Sequence, residues 1–551
     1  MKPVLHIGAV IETRTPAVWV SQLLQKIIAH EDMQLHVGLH EKSGPVPEKP
    51  AFRLFTRLAD WLLNSVIDIP QFDHDPWELH QLTGVNEIHD LSEVPDALAN
   101  CDVILNLTSD SPESTHLQKN TQVWTADLPL LEVRVKHGLL TRAPFLWIHL
   151  WNLQCDASSG LVEATRIASH ALPCQTYSIS DLRRLSYSAL AGVFLSRLTW
   201  MVHQPDNKLA ALAEQNANQG VFDTEEQHAL HDIQAVTETK AEGDGVYTLT
   251  PLWSVLTLLV RQTYERIHRR FFTEYWQLAV TQEPSTNLKD ISNFPIDAYT
   301  TVGEPSGEPR DVMWADPHLC QYQGDTYIFF EKMHKQGENA HIAYLRLDDT
   351  GQPVESGVAL SAEHHLSFPY IFTHDGSYYM IPETASLRSI NLYKATHFPD
   401  QWEHQQVLLS DINAADTVLW QHLGRWWMFT NCQSHRTVDE RDELHIFYAD
   451  NLHGPWQAHT LNPVLTGVDR SRMAGPLFRD DDNIYRCSQY GAYRYGYGIN
   501  ISRIDELTPE NYRESASWRI LPRNGAAWRG CHAFGRLENL TIIDRVRFGR
   551  R

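Results

Sequence analysis

Between residues 314 and 544 the chain repeats one pattern five times: an apolar strand, a tight polar turn and a second strand rich in aromatics. The copies read WADPHLCQYQGDTYIFFE (Trp314 to Glu331), SFPYIFTHDGSYYMIPE (Ser367 to Glu383), AADTVLWQHLGRWWMFT (Ala414 to Thr430), MAGPLFRDDDNIYRCSQ (Met473 to Gln489) and CHAFGRLENLTIID (Cys531 to Asp544). Two strand-forming runs joined by a short turn such as Gln-Gly or Asp-Gly predict a β-hairpin. With Asp316, Pro369, Asp416, Gly475 and His532 as equivalent starts, the copies follow one another at roughly 45 to 60 residues, room for four strands each. The expected fold of residues 274–551 is therefore an all-β, five-bladed β-propeller. Tyr275 to Val280 (YWQLAV) is the candidate strand that completes the last blade from the other end of the domain. An open β-sandwich is disfavoured, because sandwiches do not repeat an aromatic motif at such a period.

The first 203 residues follow a different grammar. A short apolar run from Pro3, helical spacing of Val18, Leu23, Leu24, Ile27 and Ile28, and a second strand at Gln34 to Leu39 give a β-α-β start. Cys101 to Leu107 and Pro144 to Leu150 read as buried strands and Asp181 to Val202 as a closing helix, so residues 1–203 are predicted to form an α/β domain. Residues 204–273 are predicted as an acidic linker and a bridging helix. Within Pro251 to Val280, apolar residues combine with Arg261, Arg266, His268, Arg269 and Arg270, which predicts a helix with one basic face. Packing between domains is its plain role; peripheral membrane contact through 251–280 is the sharper one.

Charge narrows the partners. Lys plus Arg number 46 against 68 Asp plus Glu, a net charge of −22, which repels a phosphate backbone and argues against nucleic acid. Seven scattered cysteines without a CxxC pair predict no disulfide framework and no zinc site. The N-terminal residues lack the pattern of a secretory signal, and no apolar stretch approaches the ~20 residues of a membrane helix, so a cytoplasmic protein without a transmembrane segment is expected.

In a propeller the first residues of each innermost strand face the central funnel, so polar residues at equivalent repeat positions converge. Those positions hold Asp316, the Ser367-Phe368-Pro369 turn, Asp416, Arg472 beside Ala474, and His532. Two carboxylates, an arginine and a histidine make a pocket suited to hydroxyl-rich ligands. Asp316 and Asp416 are the candidate catalytic carboxylates, with Glu383 as a candidate proton donor. Trp314, His318, Glu331, Arg472, Gln489 and His532 are the candidate substrate-binding residues; no metal ligand is expected.

The WADPH start of the first repeat, Asp416 in the third, Ala474-Gly475-Pro476 in the fourth and Gly530-Cys531-His532 in the fifth resemble the five-bladed arabinanase and β-xylosidase glycosidases. The resemblance implies a general base at Asp316, a pKa-tuning carboxylate at Asp416 and an ion-liganding or tuning His532. It also puts an acid Glu where this chain has Ala474, and glycoside hydrolysis needs a proton donor to the leaving oxygen. Glu383 and Glu331 are the candidate replacements.

A closer resemblance covers nearly the whole propeller. WADPHL, HHLSFPYIF, MIPETA, LYKATHFPDQW, ADTVLW, RWWMFTN, LHIFYADNLHGPW, RMAGPLFR and IDELTPENYRE are similar to the N-terminal domain of the plant glucosamine inositolphosphorylceramide transferase family and its bacterial relatives. That family also lacks the acid in the fourth blade. Its glycosyltransferase domain is separate, so the resemblance does not imply transferase activity for the propeller itself. The bacterial relatives imply a formyltransferase-like domain in front, but the stretch Asn120-Thr121-Gln122-Val123-Trp124-Thr125-Ala126-Asp127 has no histidine, and Asp127 alone cannot relay a proton, so no folate is expected.

The function expected is therefore that of a carbohydrate-active protein of surface-glycan or glycolipid biosynthesis. It would bind a carbohydrate or glycolipid in the funnel and transfer a sugar, with a nucleotide-sugar as candidate donor. The alternatives are a non-catalytic glycan-binding protein and a glycoside hydrolase with a relocated acid.

Overall fold

The computed structural model describes residues 4–11, 18–39, 88–90, 98, 101–107, 122–126, 131, 145–155, 162–173, 179–203, 260, 263–264, 267–268, 270–281, 295–303, 312–334, 339–432, 442–523 and 527–550. They form two compact units. Most of the expected linker, residues 204–259, lies outside them, as do Asn120 and Asp127.

The N-terminal unit is built on a seven-stranded sheet. β1 (Leu5–Ile11), β2 (Met33–Leu39), β3 (Ile88–Asp90), β4 (Val103–Asn106), β5 (Gln122–Thr125), β6 (Phe145–Cys155) and β7 (Val162–Pro173) lie in the order β3-β2-β1-β4-β5-β6-β7. The first five pair in parallel, and β6 and β7 close the sheet antiparallel. Helix α1 (Val18–Ile28) buries Leu23, Leu24 and Ile27 completely, the apolar face that its spacing announces. Helix α2 (Ile179–His203) contains an 18-residue stretch, Leu185–Val202, apolar and long enough to cross a membrane, but 78% of it is buried inside the protein. This corrects the expectation that no apolar stretch approaches the length of a membrane helix; within the unit, Tyr187 of this helix stacks on Trp19 of α1 at 5.4 Å.

The second unit is a five-bladed β-propeller. Blade one is β10 (Val312–Tyr322), β11 (Asp325–His334), β12 (His341–Leu347) and β13 (Pro353–Leu360). Blade two is β14 (Ser367–His374), β15 (Ser377–Glu383), β16 (Ser389–His397) and β17 (Gln401–Ser410). Blade three comprises β18 (Ala414–His422), β19 (Arg425–Cys432), β20 (Glu443–Ala449) and β21 (Gln457–Ala458), with β22 (Leu465–Thr466) also paired to β20. Blade four is β23 (Phe478–Asp480), β24 (Asn483–Tyr490), β25 (Gly498–Leu507) and β26 (Tyr512–Ile520). Blade five joins β27 (Phe534–Leu537) and β28 (Leu540–Arg550) to β8 (Phe272–Thr281) and β9 (Thr300–Thr301).

β8 pairs antiparallel with β28 from Thr281↔Thr541 to Phe272↔Arg550, so the start of the domain clasps its end. This corrects the reading of 251–280 as a single helix: helical residues stop at 271 and strand pairing begins at Phe272. The phenyl, tyrosyl and tryptophan side chains of FTEYWQLAV suit a pleated, half-buried surface, and Trp276, Leu278, Ala279 and Val280 are buried.

The opening hairpins share a loop of two residues, seen in the pairs Tyr322↔Asp325, His374↔Ser377, His422↔Arg425, Asp480↔Asn483 and Leu537↔Leu540. In blades one to three both loop residues have positive φ and the second is glycine, the requirement of a type I′ turn. The core lies between blades. Trp314 and Phe330, for example, pack at 4.6 Å in a cluster with Leu278, Val280 and Ile542 of blade five.

Candidate functional site

The blade starts are set by a bulge. In blades one to three the ladder skips two residues, between Ala315 and His318, Ser367 and Tyr370, and Ala415 and Val418. The first skipped residue has positive φ in each: Asp316 at 51°, Phe368 at 43°, Asp416 at 50°. The equivalent of Asp316 in blade two is thus Phe368. The sequence alignment on Pro369 was one residue late, and the reason is covalent: proline is locked near φ −65° and cannot occupy the left-handed position. A bulge re-aims a side chain relative to the regular pleat.

Asp316 is aimed at His532, whose Nε2 lies 3.2 Å from Asp316 Oδ1. Nδ1 of the same imidazole lies 2.7 Å from Asp544 Oδ2. Asp544, fully buried on β28, is fixed in turn by backbone donors: the N–H groups of His532 and Ala533 reach Oδ1 at 2.9 Å and that of Asp316 reaches Oδ2 at 3.2 Å. Burial opposes charge on His532, but Asp544, Tyr495 and Asp316 outweigh it and hold the imidazole well above its usual range. His532 is therefore an imidazolium between two carboxylates. Asp316, His532 and Asp544 also offer ligand atoms within 4.8 Å of one another, so these three are the candidate donors for a cation, although no metal ligand was expected. A hard cation would take the two carboxylates and require the neutral imidazole.

Asp416 is held differently. The Nε of Arg472 donates to its Oδ2 at 2.7 Å, with both side chains largely buried. Burial works against the charge of Arg472, but Asp416, Tyr495 and Glu383 more than offset it.

Tyr495 joins the two halves. Its ring lies 5.2 Å from the His532 ring and 5.2 Å from the guanidinium of Arg472, with Trp276 of β8 at 6.3 Å. Trp276 itself packs on His532 at 4.3 Å. Tyr495 is 51% exposed, with Trp276, Arg472 and His532 beside its ring.

Glu331 belongs beside Asp316. It pairs with Ala315 across the hairpin, and its Oε1 lies 3.1 Å from Nε2 of His365. Burial raises the Glu331 pKa, Asp316 raises it further, and His365 and His532 oppose both. Its bond to Glu331 raises the pKa of His365 against desolvation, with Glu383 and Asp316 adding to the rise. Glu383 is buried, and its charge reaches both His365 and Arg472.

The structure thus brings Asp316, Asp416, Glu331, Glu383, Arg472 and His532 into one electrostatic group. It places the other three elsewhere. Trp314 is 4% exposed within the core cluster between blades. His318 is buried edge-on against Tyr370 at 5.4 Å, and burial, partly opposed by its bond to the Ile371 backbone, lowers its pKa to about 4, so it is neutral. Gln489 donates its side-chain N–H to the Met473 carbonyl at 3.2 Å and secures the start of blade four.

Ala474 is sealed into an apolar cluster with Cys487, Phe534 and Ile543. The Phe534 N–H donates to its carbonyl at 2.7 Å. That approach is so close that a Cβ on Gly475 would lie 2.0 Å from the Phe534 oxygen, which explains glycine there. Blade four therefore offers no acid at this position.

Residues 289–536 match one family model: glucosamine inositolphosphorylceramide transferase 1, N-terminal. The glucosamine inositolphosphorylceramide transferase 1 of Oryza sativa subsp. japonica is 35% identical over 213 residues, 38% of this chain and 28% of the relative. That of Arabidopsis thaliana is 34% identical over the same shares. The alignment thus spans little more than a quarter of those plant proteins. Among solved structures, a family 117 glycoside hydrolase of Zobellia galactanivorans is 14% identical, with a TM-score of 0.32 over 49% of this chain and 90% of that one. The Bacillus subtilis arabinanase is 12% identical, with a TM-score of 0.30 over 43% and 93%.

Asp544, Tyr495, Trp276 and His365 were missed by sequence reasoning. Asp544 had a signal: the second strands of the repeats run to Glu331, Glu383, Asn431, Gln489 and Asp544, a polar residue each time where an apolar strand meets the blade start. Asn431 plays that part structurally, accepting the Met473 N–H at 2.8 Å.

Proposed function

We propose that the propeller funnel binds a sugar of a glycolipid or surface glycan and transfers it from an activated donor such as a nucleotide-sugar. The observation that carries this reading is the half-open ring of Tyr495, held between the Asp316–His532–Asp544 group and the Arg472–Asp416 pair. A sugar presents a C–H face that packs on an aromatic ring and hydroxyls that pair with ionised side chains. Asp316 is the base that takes the acceptor hydroxyl's proton, and His532, 3.2 Å away, is the side chain that faces it. Ala474 supplies no proton to a leaving group, and the nucleoside diphosphate of a nucleotide-sugar departs as an anion without one when the sugar C1–O bond breaks. Titration calorimetry with a panel of oligosaccharides and nucleotide-sugars, followed by product analysis, tests the assignment. Binding that persists in Asp316→Asn while product disappears supports it; unchanged turnover in that variant sinks it.

One observation favours a second reading, hydrolysis with a relocated acid. Burial and Asp316 together raise the pKa of Glu331, as a proton donor requires. Release of free monosaccharide from aryl glycosides, lost in Glu331→Gln, would favour hydrolysis over transfer.

For the N-terminal unit the reading is a formyltransferase-type scaffold without folate chemistry. The strand order supports a docking role, since the chain reverses direction across the sheet between β1 and β4. Parallel sheets bind ligands at the carboxyl ends of strands flanking such a reversal, here Ile11 and Asn106.

A further inference from the structure

The funnel group gathers the carboxyl groups of Asp316, Asp416, Asp544, Glu331 and Glu383 against the cations Arg472 and His532, so by itself it repels a phosphate. A sugar carried on a phosphate needs its anion met beside that group.

Cations collect where the start of blade five meets β28. The bridge of Gly530 with Val546 is antiparallel, so Arg529 and Arg547 stand side by side at one end of it. Both are exposed, and among the described residues neither forms an ion pair. Like charges set opposite one another destabilise a strand pair, which makes this a place that an anion would relieve. Arg547 lies 5.2 Å from the Trp528 ring, which also takes Arg545 at 4.0 Å. Arg545 is engaged by the carbonyls of Ile296 and Tyr299. Arg494 adds a further cation: burial lowers its pKa, Glu274 at 3.2 Å opposes the fall and Arg529 adds to it. The acids that face the patch are Glu274, held by Arg494, and Asp297, whose charge acts on Arg545.

This patch runs into the aromatic platform. Gly530 packs so closely on the blade-four loop that a Cβ there would lie 2.0 Å from the Gly496 oxygen. Arg529 precedes Gly530, and Arg494 and Tyr495 precede Gly496, so the cations and the open ring flank one backbone contact. Arg547 follows Asp544 by three residues on β28, about 10 Å along a strand, near the span of a sugar ring and its phosphate linkage.

We propose that Arg529 and Arg547, supported by Arg494, bind the phosphate group of the ligand whose sugar stacks on Tyr495. The placement of the sugar rests on the proposed function; the anion site itself does not. Guanidinium forks match phosphate oxygens in pairs, which fixes the direction from which the sugar enters.

Titration calorimetry of the full chain with uridine diphosphate, glycerophosphoglycerol and a neutral oligosaccharide tests it. The expected result is binding of a phosphate probe that weakens with salt and falls at least about tenfold in Arg529→Gln with Arg547→Gln. Tighter binding of uridine diphosphate assigns the anion to a nucleotide-sugar, and tighter binding of glycerophosphoglycerol assigns it to a glycolipid head. No binding of either probe to the wild type overturns the proposal, as does equal binding by the double variant. The neutral oligosaccharide should bind both proteins alike; if it binds neither while phosphate binding still depends on the two arginines, the sugar reading fails and the anion site stands. If the double variant melts early, Arg529→Gln alone decides, because that exposed side chain has no ion pair to lose, and unchanged phosphate affinity in it overturns the proposal.

Discussion

Asp316 of blade one and Asp416 of blade three occupy the same bulge with φ of 51° and 50°, yet their charges are balanced by different means. Asp316 faces an imidazole at 3.2 Å, and that imidazole is shared with Asp544. Asp416 faces a guanidinium at 2.7 Å. An imidazolium can release its proton within the range of ordinary pH, whereas a guanidinium cannot. The repeat thus supplies two copies of one backbone device with different partners: Asp316 faces a titratable imidazole, and Asp416 a permanent guanidinium.

The largest effect expected from this division is on chemistry at Asp316. On the proposed function, Asp316→Asn keeps the side chain's shape but removes the base, so turnover of the sugar donor should fall by about 10²–10⁴ while the melting temperature stays near that of the wild type. Equal losses of turnover in Asp316→Asn and Asp416→Asn would break the comparison, since both carboxylates would then act alike.

At Asp416 the expected effect is on stability. Asp416→Ala removes the carboxylate that the buried Arg472 hydrogen-bonds, a loss of about 3–5 kcal/mol in chemical denaturation. Replacing both partners, Asp416→Leu with Arg472→Met, should recover most of it, because two apolar side chains leave no orphaned charge. A double variant as unstable as the single would mean that the pair does more than neutralise itself.

How far this division could be seen beforehand depends on the range of the interactions. The hairpins were legible because each depends on neighbours in sequence: two-residue loops, aromatic alternation, Gly324, Gly376 and Gly424 at positive φ. Asp316 and Asp416 were legible because they recur at the head of the repeat. Their partners were only half visible. His532 and Arg472 lie at repeat starts, but Asp544 ends a strand, and Tyr495 with Trp276 meets the site through packing between β8 and a loop of blade four that no local pattern encodes. In the N-terminal unit, period and composition announce β1, α1 and β2, whereas the antiparallel return of β7 is hidden because VEATRIASHALP mixes charged and apolar residues without a regular period.

The titratable half of the comparison makes a prediction in pH. The pKa of His532 is raised on folding, so its pairing stabilises the protein fully below the unfolded value of about 6.5 and is lost as pH rises through the higher folded value. Stability of the wild type should therefore decline on the alkaline side of neutrality. Asp544→Asn should end that decline at a lower pH and shrink it, while Asp416→Asn should leave its pH position unchanged. A histidine proton resonance titrating near 6.5 in the wild type at this site would contradict the imidazolium assignment.

The smallest effect tests the bridge between the two halves. Tyr495 lies beside both His532 and Arg472 and is half open, so on the proposed function its ring contributes more to a bound sugar than to the fold. Tyr495→Ala should weaken binding of the oligosaccharide by about 0.5–1.5 kcal/mol, roughly two- to tenfold, with little change in melting temperature. Tyr495→Phe keeps the stacking face and the cation–π contact with Arg472, so it should bind nearly as well as the wild type. If Phe is as weak as Ala, the hydroxyl rather than the ring is what the ligand contacts. If Ala melts early instead, the ring belongs to the Trp276–His532 packing, and the two carboxylate sites operate without a shared platform.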